Sequence, residues 1–135
     1  MIVVDSNIII HVHVQSESTA LALKALQKEP HWVATPLWQS EFCNVMAGYI
    51  RRRILKLEDA KRIVKSALKT MEGREILPPS DIVLDLLAAS DCSAYDCEYV
   101  ALARHLNVKF VTCNNKILRS FPETAVELGA FAGSL

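Results

Sequence analysis

Short apolar runs alternate with segments of helical periodicity along the chain, which predicts strands that alternate with helices. The first run, residues 2–4, ends at three polar residues, Asp5, Ser6 and Asn7, as expected for a short strand in the centre of a sheet. Further strands are predicted at residues 32–34, 76–77, 108–112 and 124–128.

Apolar residues at helical spacing predict helices between these strands, and polar residues mark where several of them begin. Helices are predicted at residues 18–26, 37–53, 57–71, 80–89, 93–106 and 114–119. The predicted N-terminal caps are Ser16 or Ser18 for the first of these helices, Thr35 for the second, with Pro36 at its first helical position, and Ser80 for the fourth.

This alternation predicts an α/β fold with a parallel sheet covered by helices on both faces. The length of 135 residues fits one domain, residues 1–135, with a core of ordinary size. The carboxyl ends of the strands and the amino ends of the helices then share one edge of the sheet, which is where such folds bind ligands.

Composition indicates a globular protein, and the charge distribution restricts how it could bind nucleic acid. Hydrophobic residues make up 51% of the chain, and the 15 basic and 15 acidic residues give no net charge, so any attraction to nucleic acid or to an anionic membrane must come from a local patch. Residues 51–74 hold nine basic and three acidic residues, a local charge of +6. Arg51, Arg52 and Arg53 are therefore predicted to contact nucleic-acid phosphates, the alternative being a solvated helical hairpin.

The sequence predicts a cytoplasmic protein without a membrane segment. No apolar stretch is long enough to cross a bilayer, and no secretory signal is visible at the start of the chain. The four cysteines lack the CxxC spacing of zinc or redox sites. His11 and His13 would point in different directions from a helix, and no further ligand completes a zinc set beside them.

Four polar residues that are distant in sequence are predicted to meet at the ligand-binding edge of the sheet. Asp5 ends the first strand, where it could also cap the next turn, and Asn114 follows the strand that ends near residue 112. Glu41 and Asp96 lie near the starts of two predicted helices.

Glu41 is the most informative of the four because its neighbours at helical spacing are apolar. A carboxylate beside a buried face needs a partner, and the segments around these residues offer no obvious basic one. Carboxylates crowded together repel one another, whereas a hard divalent cation reverses the sign of that interaction. Mg²⁺ or Mn²⁺ is the predicted cofactor, and such an ion can activate a water for attack on a phosphodiester.

Four segments of the chain, in this order and spacing, resemble the signature blocks of the PIN domain family over nearly the whole length. They are VVDSNI at residues 3–8, SE at 40–41, SAYDCEYVALA at 93–103 and VTCN at 111–114. The resemblance implies a three-layer α/β/α sandwich with a central parallel sheet, and a metal-dependent ribonuclease with an acidic pocket at the strand ends.

The resemblance also assigns roles to individual residues. Asp5, Glu41 and Asp96 match the three acidic positions that hold the metal, and Asn114 stands where many members have a fourth catalytic aspartate. We therefore expect one metal site to form readily and a second to be weak. Small members of this length are mostly VapC-type toxins, which implies an RNA substrate, a cognate antitoxin partner and a homodimer.

Three further polar residues are expected to act through hydrogen bonds rather than by binding the metal directly. Ser6, Asn7 and Thr112 are predicted to orient Asp5 and the waters around the metal. Two other functions are consistent with parts of the pattern. Asn114 leaves open a catalytically weakened module that binds RNA or a protein. A phosphatase of the haloacid dehalogenase type also begins with an aspartate after the first strand, but it requires a second acid two residues later, where this chain has Asn7.

Overall fold

The structure, a computed structural model that describes residues 1–133, contains a four-stranded sheet surrounded by helices. The strands are β1 (Ile2–Val4), β2 (Trp32–Val33), β3 (Phe110–Thr112) and β4 (Ala125–Glu127). The helices are α1 (Ser6–His13), α2 (Thr19–Lys28), α3 (Leu37–Arg51), α4 (Leu57–Thr70), α5 (Ser80–Ala88), α6 (Ala94–Leu106), α7 (Asn115–Ser120) and α8 (Leu128–Ala132).

All strands of this sheet are parallel, in the order β2-β1-β3-β4. Every residue of β1 and β3 is buried, as expected for central strands with helices on both faces. The chain leaves β1 toward β2 on one side and later places β3 on the other side of β1. The carboxyl ends of β1 and β3 therefore form the switch point at which parallel α/β sheets bind ligands. The predicted α/β/α arrangement is confirmed.

The segment after β1 differs from the sequence prediction, which assigned no helix to it. Residues 6–13 form α1, and Ile8, Ile9 and Ile10 are all buried in the core. A run of β-branched residues has low intrinsic helix propensity. Burial of the run and a cap by Asp5 outweigh that propensity, because the Asp5 side chain accepts a hydrogen bond from the Ile8 amide.

Two predicted caps and one predicted strand are wrong. The N-cap of α3 is Pro36 rather than Thr35, and the N-cap of α5 is Pro79 rather than Ser80; neither makes a side-chain capping bond. Residues 76–77 form no strand, since the isolated parallel bridge beside β2 pairs Ala34 with Glu75 and leaves Leu77 exposed. The two cap errors concern element ends, which are difficult to locate to within one residue.

Within residues 1–133, no helix combines the length and the apolar character needed to span a membrane.

Candidate active site

Asp5 lies at the carboxyl end of β1, and both of its carboxylate oxygens are hydrogen-bonded. Oδ1 accepts from the Ile8 amide at 3.2 Å, which caps α1, and Oδ2 accepts from the Thr112 hydroxyl at 2.6 Å. The residue is only 8% exposed. The first strand, the first helix and β3 thus fix this carboxylate at the switch point of the sheet.

Thr112 and Asn114 organise the end of β3 beside Asp5. The Thr112 hydroxyl donates to Asp5 and accepts from the Asn114 amide at 3.1 Å. The Asn114 side-chain oxygen accepts from the Ile117 amide at 3.2 Å and so caps α7. The predicted orienting role of Thr112 agrees with these contacts, and one lone pair of the Asn114 oxygen is already occupied by the cap.

Glu41, in the second turn of α3, is held through one of its two oxygens. Oε1 accepts from the Tyr99 phenol at 2.6 Å and from the Ser6 hydroxyl at 3.3 Å. Tyr99 is 2% exposed, and its ring stacks on Phe110 of β3 at 5.5 Å between centroids. Because both bonds end on Oε1, Oε2 is left without a side-chain donor from residues 1–133.

Asp96 lies in the first turn of α6, where a capped helix start fixes its backbone. The Ser93 hydroxyl accepts from the Asp96 amide at 3.1 Å and so caps α6, at the position where the sequence predicts this helix to begin. Asp96 is half-buried, and its carboxylate is close enough to Asp5 to affect the titration of Asp5.

Burial and like charges act together on these carboxylates. Burial raises the pKa of Asp5 to about 6, and the charges of Glu41 and Asp96 push it in the same direction. Its bonds to Thr112 and Ile8 oppose that rise without cancelling it. Burial and the Glu41 carboxylate also raise the pKa of Tyr99 far above its usual range, so the phenol remains a hydrogen-bond donor. The pKa of Glu98 is also raised, mainly by burial and to a smaller extent by the charge of Glu41.

Asp5, Glu41 and Asp96 together are called the acidic group below. No basic side chain neutralises them in the part of the chain that the structure describes. The ion pairs there involve other acids, namely Glu29, Glu58, Asp59 and Glu123. Nor do any three His, Cys, Asp or Glu side chains in that part converge closely enough to form a complete metal site. Asp5, Glu41 and Asp96 therefore interact electrostatically without forming a finished ligand cluster.

The chemistry of these residues fits a hard divalent cation. The available donors are carboxylate oxygens, which Mg²⁺ and Mn²⁺ prefer, and the free Oε2 of Glu41 is one of them. The raised pKa of Asp5 means that its hydrogen bonds do not fully offset the cost of burying the charged carboxylate. A nearby cation would favour that charged form.

Not every predicted residue lies at this group. Ser6 contacts Glu41 rather than the predicted Asp5, and Asn7 is exposed without a side-chain hydrogen bond within residues 1–133. Arg51, Arg52 and Arg53 are exposed at the far end of α3, which rises about 15 Å between Glu41 and Arg51. Their contact with nucleic acid stays a prediction.

Sequence reasoning missed the two tyrosines that flank Glu41. Tyr99 lies three residues after Asp96, so one turn of α6 carries both the acid and the phenol that holds Glu41. Tyr95, immediately before Asp96, is 61% exposed and shares an open cleft with Glu41. Helical spacing could have indicated that Tyr99 lies near Asp96, but not that its partner comes from α3.

Comparison with known proteins identifies the family and the fold of the chain. The sequence model of the PIN domain family matches residues 2–123. The chain is 23% identical over 124 residues to Ribonuclease VapC3 of Pyrobaculum aerophilum, covering 90% of this chain and 95% of that protein. Its fold is similar to the crystal structure of PAE2754 from Pyrobaculum aerophilum, with a TM-score of 0.72 at 19% identity, covering 97% of this chain and 92% of that one. It is also similar to FitAcB from Neisseria gonorrhoeae, with a TM-score of 0.73 at 15% identity, covering 95% and 98%.

Proposed function

The chain belongs to the PIN domain family, and from that premise we propose that it is a divalent-metal-dependent endoribonuclease. The substrate is RNA, and the bond cleaved is a backbone phosphodiester. The relative named Ribonuclease VapC3, which aligns with most of both chains, supports the assignment of this activity.

The observation that carries the proposal is the buried Asp5 carboxylate, which lies near two further acids and has no basic partner among residues 1–133. Burial and the charges of Glu41 and Asp96 raise the pKa of Asp5. The folded protein therefore holds several negative charges close together, where the charged form of Asp5 is destabilised. A site of this kind is expected where a cation binds during function.

We assign the metal to Asp5, Glu41 and Asp96, with Asn114 as an additional polar group beside them. Mg²⁺ or Mn²⁺ would supply electrostatic stabilisation of the charge that develops on the phosphate during cleavage. Thr112 orients Asp5, whereas Tyr99 and Ser6 orient Glu41 and leave its Oε2 available. Asn114 contributes no charge, which favours one strong metal site and a weak second one.

The RNA backbone must approach an acidic site, so cationic residues are needed outside it. Arg51, Arg52 and Arg53 are exposed, and none forms an ion pair within the described residues. We propose that they contact phosphates some distance from the bond that is cleaved. Single-stranded or looped RNA fits best because its backbone can bend and its bases are accessible.

We also propose that the protein is the toxin of a toxin–antitoxin pair, with an antitoxin protein as its partner and a homodimer as its assembly. The VapC3 relative and the fold likeness to FitAcB support this proposal. An enzyme that acts on the RNA of its own cell would work in the cytoplasm. Induced expression in a bacterial host should arrest growth, and Asp5→Asn should not. Light scattering of the purified protein should give twice the chain mass.

The direct test of the nuclease is cleavage of end-labelled single-stranded RNA. We expect cleavage by the intact protein with Mg²⁺ or Mn²⁺, no cleavage with a chelator, and loss of activity in Asp5→Asn and Asp96→Asn. Exposed Asp81, outside the acidic group, provides the control variant Asp81→Asn, which should cleave normally. Equal cleavage by Asp5→Asn, or cleavage independent of metal, would contradict the proposal.

A second candidate function is a binding module with little catalytic activity. The observation that favours it is Asn114, an amide that uses its side-chain oxygen to cap α7. Such a module would bind RNA or its partner without metal-dependent cleavage. Replacement Asn114→Asp separates the two functions, because a weakened nuclease should gain activity, whereas a pure binder should remain inactive.

A further inference from the structure

An open cleft of about 300 Å³ lies beside Glu41, between the start of α3 and the first turn of α6. Its walls carry one aliphatic, one aromatic and three polar side chains, namely Leu37, Tyr95, Ser40, Glu41 and Asn44. None of these is basic, and one is a carboxylate, so an anionic phosphate is disfavoured there. The cleft is suited to a neutral group with hydrogen-bond donors.

Tyr95 is unusual among the aromatic residues of this protein. It is 61% exposed, whereas the other Phe, Trp and Tyr side chains of the chain are buried or half-buried. An exposed ring contributes little to the core, so its position beside the acidic group is not explained by packing.

The backbone that carries Tyr95 is held in place on both sides. Ser93 caps α6 through the Asp96 amide, which fixes the first turn. One turn later, Tyr99 anchors the helix by stacking on Phe110 and by its bond to Glu41. A rigidly placed ring loses little conformational entropy when another planar group stacks on it.

We propose that Tyr95 is a stacking platform for an unpaired nucleobase next to the phosphodiester that is cleaved. This inference rests on the proposed ribonuclease function and assigns a base subsite to it. The ring covers one face of the base, while Ser40 and Asn44 offer hydrogen bonds to its edge or to the ribose. Base-paired RNA could not use the subsite, so the cleft selects single-stranded RNA.

The test measures binding in an Asp5→Asn background, which prevents cleavage and removes one negative charge that repels RNA. A fluorescent base, 2-aminopurine, is placed at successive positions of a single-stranded RNA, and its quenching reports stacking. We expect Tyr95→Phe to retain affinity within about twofold and to retain quenching. Tyr95→Ala and Tyr95→Leu should bind about tenfold more weakly and lose the quenching at one position.

The control is Leu84→Ala, which removes another exposed apolar side chain outside the cleft and should change nothing. The inference would be overturned if the Asp5→Asn protein bound RNA with the same affinity and the same quenching with and without Tyr95→Ala. If Tyr95→Ala weakens the binding of a partner protein and leaves RNA binding unchanged, the inference is also overturned, and the ring belongs to the surface that binds that partner.

Failure of the base subsite is distinguishable from failure of the nuclease. If the wild type cleaves RNA with Mn²⁺ and Tyr95→Ala has unchanged KM and unchanged quenching, the base subsite alone is wrong. If the wild type cleaves no RNA, the proposed activity is wrong, and the quenching experiment still decides whether Tyr95 stacks on a base.

Discussion

The phenol of Tyr99 donates a 2.6 Å hydrogen bond to Oε1 of Glu41 and joins a carboxylate on α3 to the buried face of α6. Because the pKa of Tyr99 is raised far above its usual range, this donor keeps its proton at any pH at which the protein is used. The same oxygen accepts a longer bond from Ser6, so Tyr99 is the main group that sets the orientation of Glu41.

Replacement Tyr99→Phe removes this donor and keeps the ring that stacks on Phe110. We expect Mn²⁺ affinity, measured by calorimetry, to fall about tenfold, because groups that orient metal ligands have effects of this size. The unfolding free energy in chelator should fall by about 1 kcal/mol. Tyr49→Phe, at a half-buried tyrosine of α3, is the matched control. A loss of stability with unchanged Mn²⁺ affinity would show that Tyr99 is only structural.

Thr112 is the buried donor to Asp5, and replacement Thr112→Val removes its hydroxyl with little change of shape. Asp5 Oδ2 and the Asn114 amide then lose their partner. We expect urea unfolding at pH 7.5 without metal to show a loss of about 1–3 kcal/mol. Thr112→Ser retains the hydroxyl and should lose much less. Equal stability of the wild type and Thr112→Val would contradict the role of this bond.

The raised pKa of Asp5 predicts how stability without metal depends on pH. The pKa is about 6 in the folded protein and 3.8 for an ordinary aspartate, so between these values the folded state binds the extra proton. The charged form therefore destabilises the fold fully above about pH 7, and this cost disappears as pH falls toward 4. The whole effect is at most about 3 kcal/mol.

Asp5→Asn isolates this contribution, because other titrating groups are common to both proteins. In chelator at pH 7.5, the variant should be more stable than the wild type, and the difference should shrink as pH falls to 5. Thermal unfolding across that pH range measures both. A variant that is less stable at pH 7.5, or a difference that does not change with pH, would contradict the proposed cost of burying Asp5.

The arginines at the end of α3 should set the salt dependence of RNA binding. Simultaneous Arg51→Gln, Arg52→Gln and Arg53→Gln should weaken binding and reduce the slope of log K against log salt by about 0.7 for each phosphate that is no longer neutralised. The control neutralises three lysines outside the basic segment, namely Lys24, Lys28 and Lys109. An unchanged slope in the arginine variant would show that these three arginines do not contact RNA phosphates.

The sequence predicted the parts of the site that depend on local signals. Asp5 lies after an apolar run and Asp96 lies in the first turn of a helix that starts near Ser93, both as predicted, because strand ends and helix starts are encoded by adjacent residues. The helix after Asp5 was missed, because its isoleucines favour a strand locally and become helical only when buried.

The contacts that orient the acids could not be predicted from the sequence. Tyr99 and Glu41 lie on different helices, and Ser6 contacts Glu41 rather than Asp5, its own neighbour in the chain. Such pairings depend on how α3 and α6 pack against the sheet. Local patterns do not determine that packing.

Counting bound Mn²⁺ by electron paramagnetic resonance tests most directly whether Asp5, Glu41 and Asp96 share a divalent ion. We expect one tight Mn²⁺ per chain for the wild type and for the control Asp81→Asn. We also expect binding at least about tenfold weaker for each of Asp5→Asn, Glu41→Gln and Asp96→Asn. Tight binding that survives in these three variants, or two equally tight ions in the wild type, would contradict the shared metal site.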